Sequence, residues 1–221
     1  MRTKKFRLIA VDGPAASGKG TLAKRIADHY DLAYLDTGLL YRAIGYAVLN
    51  GPGDINNPTY ALKAAAKLDP TELNNPKLRS ESVGEAASII ATSSEVRDAL
   101  LKFQKSFAYN PPNGKMGSVL DGRDIGTVVC SDADIKIYVQ ADISVRAIRR
   151  YKELRSRGLN AIYARVLQEL KDRDARDASR EMSPLIPAKD AFILDTTFLD
   201  PEGVFTAALE HVFLNICLFG D

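Results

Sequence analysis

From Phe6 to Val11 the chain is mostly apolar, and the run stops at Asp12, the pattern of a short buried strand. The period then changes. Leu22, Ala23, Ile26 and Ala27 recur at three- and four-residue spacings, which predicts a helix with one apolar face. Leu32 to Leu35 predicts a second short strand and Leu39 to Leu49 an apolar helix, closed by Asn50-Gly51-Pro52-Gly53. Between Asn57 and Phe107 the pattern is helical with polar interruptions, over Tyr60 to Leu68, Ser80 to Ala91 and Glu95 to Phe107, and it predicts a small helical lobe. Asn110-Pro111-Pro112-Asn113-Gly114 breaks the chain, and Ser118 to Asp121 then reads as a core strand ending in a carboxylate. Ile135 to Val139 is another strand. Helices are predicted over Ile143 to Arg157 and Ala161 to Asp177, separated by Gly158, and Phe192 to Leu194 precedes a closing amphipathic helix from Pro201. Strands alternating with helices predict an α/β fold, a parallel sheet with helices on both faces.

The turn between the first strand and helix reads Gly13-Pro14-Ala15-Ala16-Ser17-Gly18-Lys19-Gly20-Thr21. A triphosphate carries several negative charges, and backbone N–H groups free of side chains can close around it at a helix N-terminus. Gly13 and Gly18 let the backbone curl, and Lys19 supplies a point charge for the β- and γ-phosphates. An apolar strand before the loop and an apolar helix face after it are the context this motif requires, so the chain is expected to bind a nucleoside triphosphate. The common form places Ser or Thr directly after the lysine to ligate magnesium. Here Gly20 intervenes and the hydroxyl falls on Thr21, which leaves the direct magnesium ligand unassigned and favours an ion held mainly by water and phosphate oxygens.

The 221 residues, 46% hydrophobic and 26% charged, fit one domain with an ample core. A formal charge of +2 is too small for nucleic-acid or membrane binding by overall field, so anion recognition must be local. Between Arg146 and Arg180 eleven Lys or Arg stand against five Asp or Glu. Cys130 and Cys217 are too few and too far apart for a zinc site or disulfide framework, which fits a reducing cytoplasm. The apolar stretch behind Met1-Arg2-Thr3-Lys4-Lys5 ends at Asp12, too soon for a signal-peptide core, and Val204 to Phe219 is too short and too polar at Glu210 and His211 to span a bilayer.

Three further constellations carry chemistry. Arg173, Arg176 and Arg180 are three and then four residues apart, so they share one stripe with Asp177 beside it if the helix persists. Arginine's planar fork suits a phosphate clamp, yet on spacing alone a salt-bridged solvent face with Asp172, Asp174 and Asp177 is the stronger reading. Asp121-Gly122-Arg123-Asp124 lies just past a predicted central strand, where ligands collect in doubly wound sheets. Tyr34-Leu35-Asp36-Thr37-Gly38 followed by Tyr41-Arg42 likewise sets a hydroxyl and a guanidinium after a strand.

In order and spacing, Gly13 to Thr21, Asp36-Thr37-Gly38-x-x-Tyr41-Arg42, Asp121-Gly122-Arg123-Asp124-x-Gly126-Thr127-Val128-Val129 and Arg173-Asp174-x-Arg176-Asp177-x-x-Arg180 resemble the bacterial cytidylate kinases over nearly the whole chain. The resemblance implies a phosphate-loop kinase fold in a single domain, with a core at 1–56, 115–154 and 186–221, a small helical monophosphate-binding lobe at about 57–114, and a mobile lid at about 155–185. It implies transfer of the γ-phosphoryl group of ATP to CMP or dCMP with Mg2+; the thiols and the small net charge predict a cytoplasmic protein that binds neither nucleic acid nor membrane, and a monomer is the default expectation. By similarity Gly13 to Thr21 hold ATP, and Lys19, Arg123, Arg176 and Arg180 serve catalysis. Arg42, Arg123 and Arg180 hold the acceptor phosphate, Arg173 and Asp177 the sugar, and Thr37, Ser88, Arg97 and Asp124 the nucleoside end. One stretch departs from the family: Leu68-Asp69-Pro70-Thr71-Glu72-Leu73-Asn74-Asn75-Pro76 has none of the strand alternation expected of the family's insert, which is shortened here.

Other readings stay open on the residues alone. A kinase of the same fold for UMP, AMP or a small metabolite shares most of these motifs. A nucleotide-binding switch has no use for the second group of arginines, and the chain lacks the Asn-Lys-x-Asp guanine-reading motif. An RNA-associated protein using the basic segment predicts binding that falls steeply with salt.

Overall fold

The computed structural model describes residues 8–218; Met1 to Arg7, with the first two positions of the predicted strand, and Phe219 to Asp221 lie outside the described residues. Two compact units result. One takes in the chain up to Leu35 and again from Ala108, and the other is Asp36–Phe107.

The first unit is built on a five-stranded sheet of β1 (Leu8–Asp12), β2 (Ala33–Asp36), β3 (Ser118–Gly122), β4 (Ile135–Gln140) and β5 (Phe192–Asp195), in the spatial order β2-β3-β1-β4-β5. β1 therefore lies at the centre, parallel to β3 with Ile9 opposite Val119 and parallel to β4 with Ile9 opposite Ile135. All five residues of β1 and of β3 are buried, as central parallel strands require. Ile9, Val11, Val119, Ile137 and Val139 form one core with Leu22, Ala23, Ile26 and Ala27 of helix α1 (Lys19–His29). The predicted apolar face of α1 is the buried one. The helices α2 (Thr37–Leu49), α3 (Pro58–Ala65), α4 (Glu81–Ile90) and α5 (Ser94–Tyr109) follow before β3, then α6 (Ile143–Ser156), α7 (Tyr163–Ala178) and the closing α8 (Pro201–Leu218). Val204, Ala208 and Val212 of α8 join the same core. α6 and α7 pack through Ala147, Leu154, Val166 and Leu170, and Ala15 of the phosphate loop rests against that cluster.

The second unit closes on Leu40, Ile44, Val48, Ala61, Ile90, Val96 and Leu100. The boundaries differ from the expected 57–114, because α2 belongs to this unit. Its Gly45 lies so close to α4 that a Cβ there would stand 3.1 Å from Ala86 Cβ and 3.2 Å from Ala87 N. Three turns in this unit share one device, a side-chain acceptor followed by proline. Asn57, Asp69 and Asn75 accept from the N–H groups of Thr59, Thr71 and Lys77 at 3.1, 2.8 and 3.0 Å. Pro58, Pro70 and Pro76 occupy the first helical position, where a missing N–H costs nothing. The stretch that lacks strand alternation accordingly folds as two 3-10 turns, Pro70–Asn74 and Pro76–Arg79.

Candidate functional site

The phosphate loop leaves the end of β1 under tight steric control. Gly13 has φ +153°, and a Cβ there would stand 2.1 Å from the carbonyl oxygen of Val139. Gly18 has φ +92° and precedes α1 without any side-chain cap among the described residues, so the first amides of the helix face outward for an anion. Ala16 joins it in the left-handed region at φ 59°. Lys19 opens α1, half-buried, and Thr21 is exposed.

The packing explains why glycine stands at position 20. A Cβ on Gly20 would lie 2.9 Å from Oδ2 of Asp121 on β3, a buried carboxylate that also accepts from the Tyr34 hydroxyl at 3.0 Å. Asp121 is thus the acidic group beside the loop. Among the described residues no three acidic, His or Cys side chains stand together as ligands. A divalent ion arriving with a triphosphate would take most of its ligands from phosphate oxygens and water.

Two arginines from outside the basic run's regular helical face meet a single carboxylate. Arg123 donates through Nε to Oδ2 of Asp177 at 2.9 Å, and Arg180 donates through Nη2 to Oδ1 of the same group. Asp177 is 1% exposed. Burial pushes its carboxyl upward, but the charges of Arg123, Arg180 and Arg173 prevail and hold it below the ordinary value. Burial lowers Arg123, yet Asp177, with Asp121 and Asp174 beyond it, carries the guanidinium above its usual value. This is no solvated face.

The condition placed on the stripe, that the helix persist, is not met. α7 ends at Ala178, and Arg180 turns back to Asp177 from beyond the helix. The reversal is stabilised by the Leu185 N–H donating to the Asp177 carbonyl at 2.9 Å. Arg173 and Arg176 are half-buried on α7 itself, and Arg176 makes no part of the Asp177 pairs.

Asp124 is buried and begins a π-turn at Ile125–Val129, its carbonyl accepting from Val128 and Val129 at 2.9 and 3.1 Å. Asp12, read in the sequence only as the end of a strand, proves to be its neighbour. Side chains alternate along a strand, so Asp12 faces away from Ile9 and Val11 and receives that turn: Ile125 and Gly126 N–H donate to its two oxygens at 2.8 and 2.7 Å. Burial pushes its carboxyl up to about 7 against the pull of these amides. Arg146 is a second residue with an unforeseen place. It is buried and donates to Ala141 O at 2.9 Å, to Ala15 O of the phosphate loop at 3.2 Å and to Asp174 of α7 at 2.7 Å. Arg149 donates to the Thr196 hydroxyl at 2.9 Å, and that hydroxyl donates to Ser17 O at 3.1 Å.

The remaining candidates lie in the second unit. Thr37 is the buried first residue of α2. Arg42 donates through Nη1 to Leu78 O and Ser80 O at 2.7 and 3.2 Å, and it covers Gly84, where a Cβ would stand 2.7 Å from Nη2. Ser88 is one turn further along that face of α4, and its buried hydroxyl meets no hydrogen-bond partner among the described residues. Arg97 donates to Ala91 O at 3.3 Å with its guanidinium carbon 5.7 Å from the centre of the Tyr41 ring. A glycine that admits Arg42 and a buried hydroxyl without a partner make this face ready to receive polar groups.

A parallel sheet whose central strand feeds a phosphate loop, with a separate arginine pair seated on a buried carboxylate, defines the class of phosphate-loop phosphotransferases. The cytidylate kinase family model matches residues 9–213. Curated relatives named cytidylate kinase include those of Rhodopseudomonas palustris, 51% identical over 93% of this chain and 95% of that one, and Rhodospirillum rubrum, 51% identical over 92% and 95%. Another, from Bradyrhizobium, is 51% identical over 93% of this chain and 95% of its own length. The chain belongs to the cytidylate kinase family. At the level of fold alone, an uncharacterised protein from Eubacterium ventriosum superposes with a TM-score of 0.51 at 15% identity, covering 95% of this chain and 98% of that one. Among the described residues no helix is long and apolar enough to cross a membrane.

Proposed function

We propose that this protein transfers the γ-phosphoryl group of ATP to CMP or dCMP, giving ADP and CDP or dCDP. The observation that carries the reading is the second anion receptor: Arg123 and Arg180 share Asp177 in a buried position, separate from the phosphate loop. A planar fork pair so placed suits a second phosphate-bearing ligand.

In this reading the amides of the Gly13 to Thr21 loop and Lys19 hold the β- and γ-phosphates, and Lys19 stabilises the charge that builds on the transferred group. Magnesium, when bound, neutralises oxygens of the β- and γ-phosphates. Arg42, Arg123 and Arg180 bind the acceptor phosphate, with Arg176 contributing charge from α7. Asp177 keeps Arg123 and Arg180 in place in the absence of substrate, and with Arg173 it meets the sugar. Thr37, Ser88, Arg97 and Asp124 read the nucleoside end. Cytosine offers an amino donor where uracil has a carbonyl, so the Asp124 carboxylate accepts from the first and repels the second. Sites built around such a hydrogen bond discriminate by about 10⁴-fold. No general base is needed, since phosphoryl transfer depends mainly on alignment and charge neutralisation. Exclusion of water assigns the 155–185 segment to a lid that closes over the substrates. The reading includes a cytoplasmic monomer.

Product identification tests the proposal. With ATP, magnesium and CMP, chromatography should yield ADP and CDP in equal amounts; ADP without CDP would mean hydrolysis and would remove the acceptor site.

A further inference from the structure

Asp12 joins two loops that are far apart in sequence. Its oxygens accept from Ile125 N–H at 2.8 Å and Gly126 N–H at 2.7 Å, across sequence separations of 113 and 114 residues. Those amides open the Ile125–Val129 π-turn, in which the first internal bonds come from Val128, Val129 and Cys130, so the amides of Ile125 and Gly126 have no partner within the turn itself. Asp12 supplies the cap from another strand. A carboxylate suits this position because both its oxygens accept, whereas an amide offers one acceptor and turns a donor against the second N–H.

Its two neighbourhoods are the ones that phosphoryl transfer must hold in register. Gly13 follows it directly, held against the carbonyl of Val139 with no room for a Cβ. On the other side, Arg123 and Asp124 immediately precede the capped turn, and Gly126 is packed tightly, a Cβ there standing 3.2 Å from Lys136 Cδ and 3.4 Å from Asp12 Oδ2. The register of β1 with β3 places Asp12 opposite Gly122, so the cap is set at the point where both loops leave the sheet.

We propose that Asp12 is a positioning residue for the acceptor: by capping the Ile125–Val129 turn it sets the backbone of Arg123 and Asp124 relative to the phosphate loop. This rests on the assignment of Arg123 and Asp124 to the acceptor site. Asp12 touches no substrate in this account. Its loss therefore acts on acceptor use and leaves the donor largely untouched.

The test compares wild type, Asp12→Asn and Gly126→Ala. Asp12→Asn should raise the KM for CMP about tenfold, lower the preference for CMP over UMP, and change the KM for ATP less than about twofold. Gly126→Ala crowds the capped turn through Lys136 Cδ and Cγ, which would stand 3.2 and 3.3 Å from the new Cβ, without removing a charge, and should move the same constants by about threefold. It stands in if Asp12→Asn does not fold. Amide hydrogen exchange gives an arm independent of catalysis: in Asp12→Asn the peptide covering 124–129 should exchange faster while 13–21 does not. Equal rises in KM for ATP and CMP, or a lower melting temperature with unchanged constants, or unchanged exchange at 124–129, would each overturn the proposal. If wild type turns over another monophosphate instead of CMP, the KM comparison is made with that acceptor. A wrong choice of base then counts against the proposed substrate and leaves the test of Asp12 intact.

Discussion

Replacing Asp177 by Asn removes the charge that holds two guanidinium groups in place. The side chains of Arg123 and Arg180 are 15% and 5% exposed, and that of Asp177 is 1% exposed, so water does little to replace the lost partner. Breaking a buried pair by neutralising one member costs about 3–5 kcal/mol, and because Asn keeps one acceptor oxygen the lower end applies, about 3 kcal/mol. With a urea dependence of about 2–3 kcal/mol per molar for a chain of this size, the unfolding midpoint should fall by about 1 M. The assay is urea denaturation at pH 7.5 followed by circular dichroism. Inorganic phosphate should raise the variant's midpoint more than that of wild type, since an anion restores the missing charge. The pH dependence has a definite sign. Asp177 is depressed from its ordinary 3.8, so its contribution is complete above that value and is lost as pH falls through the lower folded one. The gap between wild type and variant should therefore hold from pH 8 to pH 5 and close only at more acid pH. A midpoint shift under about 0.3 M at pH 7.5 would show that the two arginines do not depend on Asp177, and the counter-charge argument would fail.

Lys19→Ala should slow turnover by about 10²–10³-fold while moving the KM for CMP less than about threefold; equal effects on both would contradict a role confined to the transition state. Gly20→Ser restores the common order of the motif, yet its Cβ would stand 2.9 Å from Asp121 Oδ2, so both turnover and melting temperature should drop, by about 1–3 kcal/mol of stability. An active, equally stable Gly20→Ser would show that the loop and β3 are less closely packed than described. Asp124→Asn should lower turnover of CMP far more than that of UMP, and an identical factor for both would remove Asp124 as the reader of the base.

Much of the fold can be read locally. The apolar face of α1 is specified within a few residues and forms where the pattern predicts, and the three Asx-Pro turns are equally local devices that the apolar pattern does not single out. What escapes such reading depends on partners distant in sequence. Asp12 looks like a strand end because the amides it caps lie more than a hundred positions away. Arg146 looks like one more cation in a basic run, and only the packing of α6 beside the phosphate loop reveals its carbonyl partners at Ala141 and Ala15. α2 reads as part of the core because it follows a strand directly. The Gly45 contact with Ala86 that draws it into the second unit is a tertiary fact. The helix read over Ala161 to Asp177 ends within one residue of α7 at Ala178, but the reversal that follows, with the Leu185 N–H donating to the Asp177 carbonyl, is a tertiary fact. Arg180 of the predicted stripe clamps Asp177 together with Arg123 from the turn after β3, a pairing that helical periodicity does not describe.

The central claim is tested most directly by the initial rate of ADP release from ATP and magnesium with CMP, dCMP, UMP, AMP or no acceptor, all at equal concentration. The account predicts strong stimulation by CMP and dCMP, weak stimulation by UMP and AMP, and little release without an acceptor. Stimulation by UMP or AMP in place of CMP would contradict the roles given to Asp124, Ser88 and Arg97, and no stimulation by any of the four would contradict the acceptor site built on Arg123, Asp177 and Arg180.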